Sequence, residues 1–380
     1  MVPIVVKKKA MIKTFIFAKN SIPKMKILVT GGTGYIGSHT VVELQQQGYE
    51  VVIIDNLSNS SASVIEMITK ITGIKPELQV FDLCDALKTE RFFSENQDIS
   101  AVIHFAAHKS VGESVLHPLK YYKNNLLSTI NLLESMVRHK VQNIAFSSSC
   151  TVYGQPDMLP VTEQSPTLKA ESPYGNTKKI MEDIIADAVR THEINAISLR
   201  YFNPIGAHES ALIGEAPADI PDNLVPYLTQ TAIGMRPFLR VFGNDYNTPD
   251  GTPVRDYLHV TDLAKAHVKA VKRMEKGRQG DRETRRQGEG ETGGKYEVFN
   301  LGTGVGYTVL EVIQSFERVS GMKLNYQVVE RRPGDIEKIW ADPSLANKEL
   351  GWKAEKSLDE MMLSAWKWET GRQGDGETRR

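Results

Sequence analysis

Residues 26–37, KILVTGGTGYIG, constrain this chain more than any other stretch. Ile27, Leu28 and Val29 form a short apolar run bounded by Thr30 and the pair Gly31–Gly32, the pattern of a buried strand. Gly31, Gly34 and Gly37 recur at three-residue spacing and lead into an apolar-periodic segment, residues 36–44. The pattern predicts strand, tight glycine turn, helix. Such a turn lets a pyrophosphate approach the backbone and rest at a helix N-terminus, where free N–H groups and the helix dipole favour negative charge. A glycine turn without a ligand has the same local composition, so the context decides. Here a second apolar run, residues 51–54, ends in Asp55, 18 residues past Gly37. A carboxylate at that distance accepts bonds from both ribose hydroxyls and repels a 2′-phosphate, so NAD is expected rather than NADP. Asn56, not an arginine, follows it.

The chain continues in alternation. Residues 56–63, including Asn59 and Ser60, are polar and suit either an adenosine-ribose wrap or a plain loop. Residues 64–72 read as helix, and residues 78–81 as a third strand ending in Asp82, whose carboxylate could bond an adenine amino group. A fourth strand is expected over residues 101–105, followed by Ala106, Ala107, His108 and Lys109. Small residues there let the backbone lie against a cofactor, and Lys109 could reach a phosphate or the nicotinamide ribose; His108 reads as packing or surface. Residues 121–139 carry helical periodicity and residues 143–146 a fifth strand. This alternation predicts an α/β chain with a Rossmann-like, doubly wound parallel sheet, in which ligands bind past the carboxyl ends of the strands.

That rule directs attention to Ser147, Ser148 and Ser149 at the end of the fifth strand. Tyr174 follows 25 residues after Ser149, and Lys178 lies four residues further on, on the same helix face. A neighbouring ammonium favours a phenolate, as does the charge of an oxidised nicotinamide, so this arrangement is expected to bring the tyrosine toward the range of a useful base. A lone Tyr-x-x-x-Lys spacing arises by chance; one that follows a glycine turn, five strands and a serine cluster is a candidate catalytic pair.

With 380 residues and 41% hydrophobic content the chain can bury a large core in two lobes. A formal net charge of +0 gives no global argument for nucleic acid or a membrane. Cys84 and Cys150 cannot build a disulfide framework, which suits a reducing cytosol, and no Cys/His spacing suggests a metal. Residues 1–24 are basic and free of acids and read as a disordered N-terminal extension. Residues 277–286, GRQGDRETRR, recur almost verbatim at 371–380. Residues 277–294 are polar and Gly-rich, and are expected to be a disordered insertion; 369–380 are expected to be a disordered tail.

GGTGYIG, the Asp55–Asn56 pair, FAAHKSVGES, FSSSCTVYG, SPYGNTK, RYFNPIGA, VRDYLHVTDLA and RRPGD occur in that order. With them the chain resembles the extended short-chain dehydrogenase family, in its branch of nucleotide-sugar 4-epimerases, from about Met25 to about Trp368. The resemblance implies an NAD-binding Rossmann domain over 25–200, with later segments returning to it, and a smaller C-terminal α/β lobe over 201–368 for a nucleotide sugar. It implies a cytoplasmic homodimer with a four-helix contact, acting on UDP-hexoses and interconverting UDP-galactose and UDP-glucose through a 4-keto sugar. Position by position it makes Tyr174 the catalytic base, Lys178 its partner and Ser149 the hydroxyl that bonds the sugar. Cofactor contacts fall to Gly31, Gly34, Tyr35, Ile36, Gly37, Asp55, Asn56, Asn59, Ser60, Asp82, Leu83, Phe105, Ala106, Ala107, Lys109, Asn124, Ser147 and Tyr201, together with Tyr174 and Lys178. Asn203, Asn223, Leu224, Arg255, Arg332 and Asp335 fall to the UDP group. Ile339 falls to the wall of the sugar pocket, where its modest bulk leaves room for UDP-N-acetylhexosamines. The rival readings are a 4,6-dehydratase, which needs acid–base carboxylates beside the serine where Cys150, Thr151 and Val152 stand, and a non-catalytic NAD-binding regulator, which could dispense with Tyr174, Lys178 and Ser149.

Overall fold

The structure, a computed structural model, describes residues 25–217, 220–286, 294–332 and 335–377, without the side chains of 277–286 and 373–377. The expected N-terminal extension, 1–24, lies outside these residues. The first half alternates β1 (Lys26–Thr30), α1 (Tyr35–Gln46), β2 (Glu50–Asp55), α2 (Val64–Thr72), β3 (Glu77–Val80), α3 (Ala86–Glu95), β4 (Ile99–His104), α4 (Val111–Leu116), α5 (Pro118–Arg138), β5 (Asn143–Ser147), α6 (Pro173–Thr191) and β6 (Asn195–Tyr201). The second half carries β7 (Asn203–Ile205), α7 (Leu224–Ala232), β8 (Leu239–Phe242), β9 (Val254–His259), α8 (Val260–Arg286), β10 (Tyr296–Leu301), β11 (Gly306–Thr308), α9 (Val309–Ser320), β12 (Tyr326–Val329), β13 (Lys338–Ile339) and α10 (Leu358–Glu377).

Seven strands form one sheet in the order β10-β6-β5-β4-β1-β2-β3, every pair parallel. The order reverses between β1 and β4, which opens a crevice at their carboxyl ends. Helices cover both faces, so the strands are apolar throughout rather than alternating. The pleat then sorts the residues. Ile27, Val29, Val51, Ile53, Ala101 and Ile103 pack on one side with Leu263, Val271 and Met274 of α8. Leu28, Val52, Ile54, Val102, Ile144 and Phe146 pack on the other with Leu132 and Met136 of α5 and Met181 and Ile185 of α6. The smaller lobe is built on β9, flanked by β11, β13 and β7, and on the pair β12–β8, over a separate apolar cluster that includes Leu228, Val241, Phe316 and Met362.

Four segments differ from expectation. The third strand starts at Glu77 and the fourth at Ile99, so both lie one or two residues earlier than the apolar runs suggest. More notably, the first copy of the repeat is not an irregular insertion: α8 continues to Arg286 instead of stopping near Glu275, and α10 likewise carries the tail to Glu377. Each copy follows a helix already nucleated by packing. Extending such a helix adds one hydrogen bond per residue fixed, which outweighs the cost of its glycines, about 1 kcal/mol each. Residues 287–293 and 378–380 lie outside the described chain.

Trp352 joins the late chain to the large sheet. It is 2% exposed, packs in the α8-side cluster, and donates Nε1–H to the carbonyl of Asp262 at 2.7 Å. Trp352→Ala is expected to lower the free energy of unfolding by about 3–5 kcal/mol, the range for a large aromatic removed from a core, read as a drop in the urea midpoint at constant slope.

Candidate active site

The glycine turn after β1 is as tight as its sequence implies. Gly31 has φ +71°, and a Cβ placed there would stand 2.9 Å from the Ala106 backbone nitrogen. A Cβ on Gly37 would stand 2.2 Å from the Gly31 carbonyl oxygen. Gly34 caps α1 without a side-chain bond, so the N–H groups of Tyr35, Ile36 and Gly37 in the first turn are left for an anion. Asp55 ties this turn to the following loop. It accepts the Thr33 amide at 3.1 Å on one oxygen, and on the other the Leu57 amide at 2.9 Å and the Ser60 hydroxyl at 3.2 Å. Asp82 accepts bonds from Asn56 Nδ2 at 3.1 Å and the Cys84 amide at 2.8 Å, while Asn59 is exposed. Ala106 and Ala107 are half-buried beside the turn. Three expected cofactor residues use their side chains elsewhere. Tyr35 donates its hydroxyl to the Gly206 carbonyl at 2.6 Å, Leu83 is buried in the core, and Phe105 stacks 4.6 Å from His267.

Helix α6 starts with Ser172 accepting the Gly175 amide at 3.2 Å and Pro173 in its first turn. This places Tyr174 and Lys178, both buried, against the end of β5. Lys178 donates to the Ser147 carbonyl at 2.7 Å and lies 4.9 Å from the Phe146 ring. Ser147 donates its hydroxyl to Tyr201 at 3.1 Å. Ser149 accepts the Thr151 amide at 3.2 Å, and its hydroxyl stands beside the Tyr174 phenol, whose ionised form it favours. Behind them Asn125, fully buried, donates to Thr177 at 3.0 Å, and Thr177 donates to the Tyr174 carbonyl at 2.7 Å. Asn124 spends its amide on Asn125, at 3.0 Å.

The protein groups by themselves shift both members of the pair against their charged forms. Burial pushes the Tyr174 phenol well above its ordinary value, the neighbouring Tyr201 adds to the rise, and the Ser149 hydroxyl opposes it. Burial also pulls Lys178 down to about 7, with Glu182 opposing. Burial thus disfavours phenolate and ammonium alike, and a further positive charge beside the phenol would lower it again.

In the smaller lobe, Arg255 pairs with Asp335 at 2.5 Å and also donates to its neighbour's carbonyl, that of Val254, at 2.8 Å. Arg332 lies 4.3 Å over the Phe242 ring, a cation–π contact that holds a guanidinium without neutralising it. Asn223 caps α7, just before Leu224, and donates to Glu215 at 2.7 Å. Lys109 reaches the same Glu215 oxygen at 3.0 Å, so it faces the second lobe rather than standing free over the turn. Asn203 lies in β7, half-buried, paired to Tyr257 of β9. Ile339 does not form a wall. It is 2% exposed, inside a cluster of Val152, Tyr153, Val161, Phe202 and Ala341, against which Cys150 also packs. Asn125, Glu182, Glu215 and Phe242 escaped sequence reasoning. Only Glu182 had a local signal: it extends the Tyr174–Lys178 row by one more turn.

A family model described as GDP-mannose 4,6 dehydratase matches residues 28–364. The UDP-glucose 4-epimerase of Dictyostelium discoideum is 51% identical over 346 residues, 91% of this chain and 96% of its own length. That of Bacillus subtilis is 50% identical over 347 residues, 91% and 97%. Among solved structures, a UDP-glucose 4-epimerase from Stenotrophomonas maltophila with bound NAD and formylated UDP-arabinopyranose matches with a TM-score of 0.86 at 47% identity, over 92% of this chain and 99% of that one. One from Bifidobacterium longum in complex with NAD+ and UDP matches with a TM-score of 0.83 at 46% identity, over 92% and 99%.

The turn offers a direct check. Gly37→Ala forces a Cβ into the Gly31 backbone, so the purified variant is expected to lose bound dinucleotide, read by absorbance and by release on denaturation.

Proposed function

We propose that this chain, which belongs to the extended short-chain dehydrogenase family and within it to the UDP-glucose 4-epimerases, interconverts UDP-galactose and UDP-glucose on tightly held NAD. The observation that carries this is convergence. The Ser149–Tyr174–Lys178 group stands at the carboxyl end of β5, the glycine turn at that of β1 two strands away, and Arg255 of the smaller lobe is close enough to Cys150, next to Ser149, to act on it electrostatically.

The residues present fit the cofactor: a turn with no room for side chains, open helix N–H groups, and Asp55 for the ribose. Bound NAD supplies the hydride acceptor and donor for carbon 4 of the hexose and a positive charge on its nicotinamide. Tyr174 takes the proton of the sugar 4-hydroxyl, which Ser149 orients by hydrogen bond, and later returns it to the 4-keto oxygen. Lys178 holds the Ser147 carbonyl and so fixes the strand end that presents Ser149. Burial of Tyr174 and Lys178 excludes water from the proton transfer. Arg255 and Arg332 bind the diphosphate, and Asn223 and the α7 N-terminus assist. The hexose can then turn about its anchor and present either face for reduction. Dehydration would need a carboxylate beside Ser149, and Cys150 and Thr151 stand there instead. A regulator would not need a buried Tyr–Lys–Ser set.

The outer faces of α5 and α6 form a shallow apolar groove lined by Ile130, Leu133, Val137, Ile184 and Ala188. A second copy of the chain laid on this groove makes a four-helix contact, and the active assembly is a homodimer. No helix among the described residues is long and apolar enough to cross a membrane. Two free cysteines accord with a cytosolic enzyme.

Purified protein is expected to release NAD on denaturation and to convert UDP-galactose to UDP-glucose; bound NAD with no turnover of any UDP-hexose overturns the reading. Tyr174→Phe should lower kcat by about 10²–10⁴-fold while leaving UDP affinity by calorimetry nearly unchanged. Ile130→Glu should sediment as a monomer where the parent sediments as a dimer.

A further inference from the structure

The row that begins with Tyr174 and Lys178 on α6 has a third member. Glu182 lies one turn beyond Lys178, so Tyr174, Lys178 and Glu182 share one helix face. That face meets three consecutive serines. Ser149 stands beside Tyr174, the Ser147 carbonyl accepts Lys178, and Ser148 donates its hydroxyl to Glu182 at 2.5 Å. Ser148 follows Ile144 and Phe146 on the sheet face that α6 covers, which is why its side chain meets the helix and that of Ser147 does not.

Glu182 is itself held by a second partner besides Ser148. Arg200 of β6 donates to both carboxylate oxygens, at 3.0, 3.2 and 2.6 Å, in a pair whose side chains are 8% and 7% exposed. The remaining arginine nitrogen donates to Tyr153 at 3.1 Å. Tyr153 donates to Asn300 of β10 at 2.6 Å, and Asn300 donates to the Val161 carbonyl at 3.0 Å. Apolar residues of the same volume would stabilise such a position as well or better, since desolvation consumes most of the attraction of a buried pair. What the pair supplies is a fixed geometry and a fixed negative charge directly behind the site.

We propose that Glu182, clamped by Arg200, is a positioning residue for the epimerisation: it locks the serine strand end to the Tyr174–Lys178 face of α6 and keeps a carboxylate behind Lys178. Glu182 touches neither substrate nor cofactor and acts through Lys178 and Ser148. The inference rests on the epimerase reading above.

The charged and titratable groups around Lys178 define what should be measured. On its own helix stand Tyr174 and Glu182; on β6, Tyr201; on β4, His104; on α8, His267. Burial keeps both histidines neutral at working pH, at about 3 and about 4. Among the described residues, Glu182 is therefore the carboxylate that sustains the Lys178 charge. Its negative charge favours the ammonium, so removing it lowers the Lys178 pKa, and activity that needs the charged lysine is lost at a lower pH.

The test compares Glu182→Gln, Glu182→Asp and Ser148→Ala with the parent holoenzyme, following kcat for UDP-galactose against pH and, independently of turnover, the Lys178 side-chain nitrogen by NMR. Glu182→Gln should move both the alkaline limb of kcat and the Lys178 titration down by about one pH unit, and Glu182→Asp should restore them. Ser148→Ala keeps the ion pair and so should fold. It should lower kcat several-fold, leaving KM and the Lys178 titration unchanged. A folded Glu182→Gln whose limb and Lys178 titration stay in place overturns the proposal. So does a Ser148→Ala variant with full kcat, which decides the matter should Glu182→Gln not fold. Absence of turnover in the parent refutes the epimerase reading instead, and the NMR titration still decides whether Glu182 sustains the lysine charge.

Discussion

The site depends on a contact that admits no side chain. Gly37 lies against the Gly31 carbonyl, and Gly31 against the backbone of Ala106. These contacts draw the end of β1, the start of α1 and the end of β4 into one surface. The reversal of strand order occurs at that same pair, so the closest backbone approach and the topological crevice coincide. The other site elements take their positions from this surface. β5 lies next to β4 and delivers the serines, and α6 packs on the face of the sheet that β5 shares.

Chemistry at that surface is governed by burial more than by pairing. Spacing alone suggests that Lys178 activates Tyr174, yet both are taken out of water, and desolvation penalises phenolate and ammonium alike. The outcome is a tyrosine poised for a charge brought in by the cofactor.

What was legible in the sequence was what depends on nearby residues or on backbone sterics. The glycine turn, Asp55 at the end of β2 and the Tyr174–Lys178 face could be read because strand, turn and helix periods fix them. Partners supplied from far along the chain could not. Tyr153 meets Asn300 across 147 positions, and Lys109 meets Glu215 across 106. Ile339 has the same origin: its position suggested a pocket wall, but pairing of β13 with β9 turns it into an apolar cluster. The repeat at 277–286 misled for the opposite reason. Its composition describes an isolated segment, whereas the chain presents it as the continuation of a packed helix.

The strand order has a mechanical consequence. The chain passes from the large sheet to the smaller lobe after β6, returns through α8 and β10, leaves again at β11, and comes back once more at Trp352 before ending in α10. Lobes joined by a single linker swing about one hinge; lobes stitched together this many times would have to bend every crossing at once. The gap between them therefore has a nearly constant width. An intermediate that must present both of its faces to one hydride source has to do the moving itself, pivoting on its diphosphate tether between walls that stay where they are.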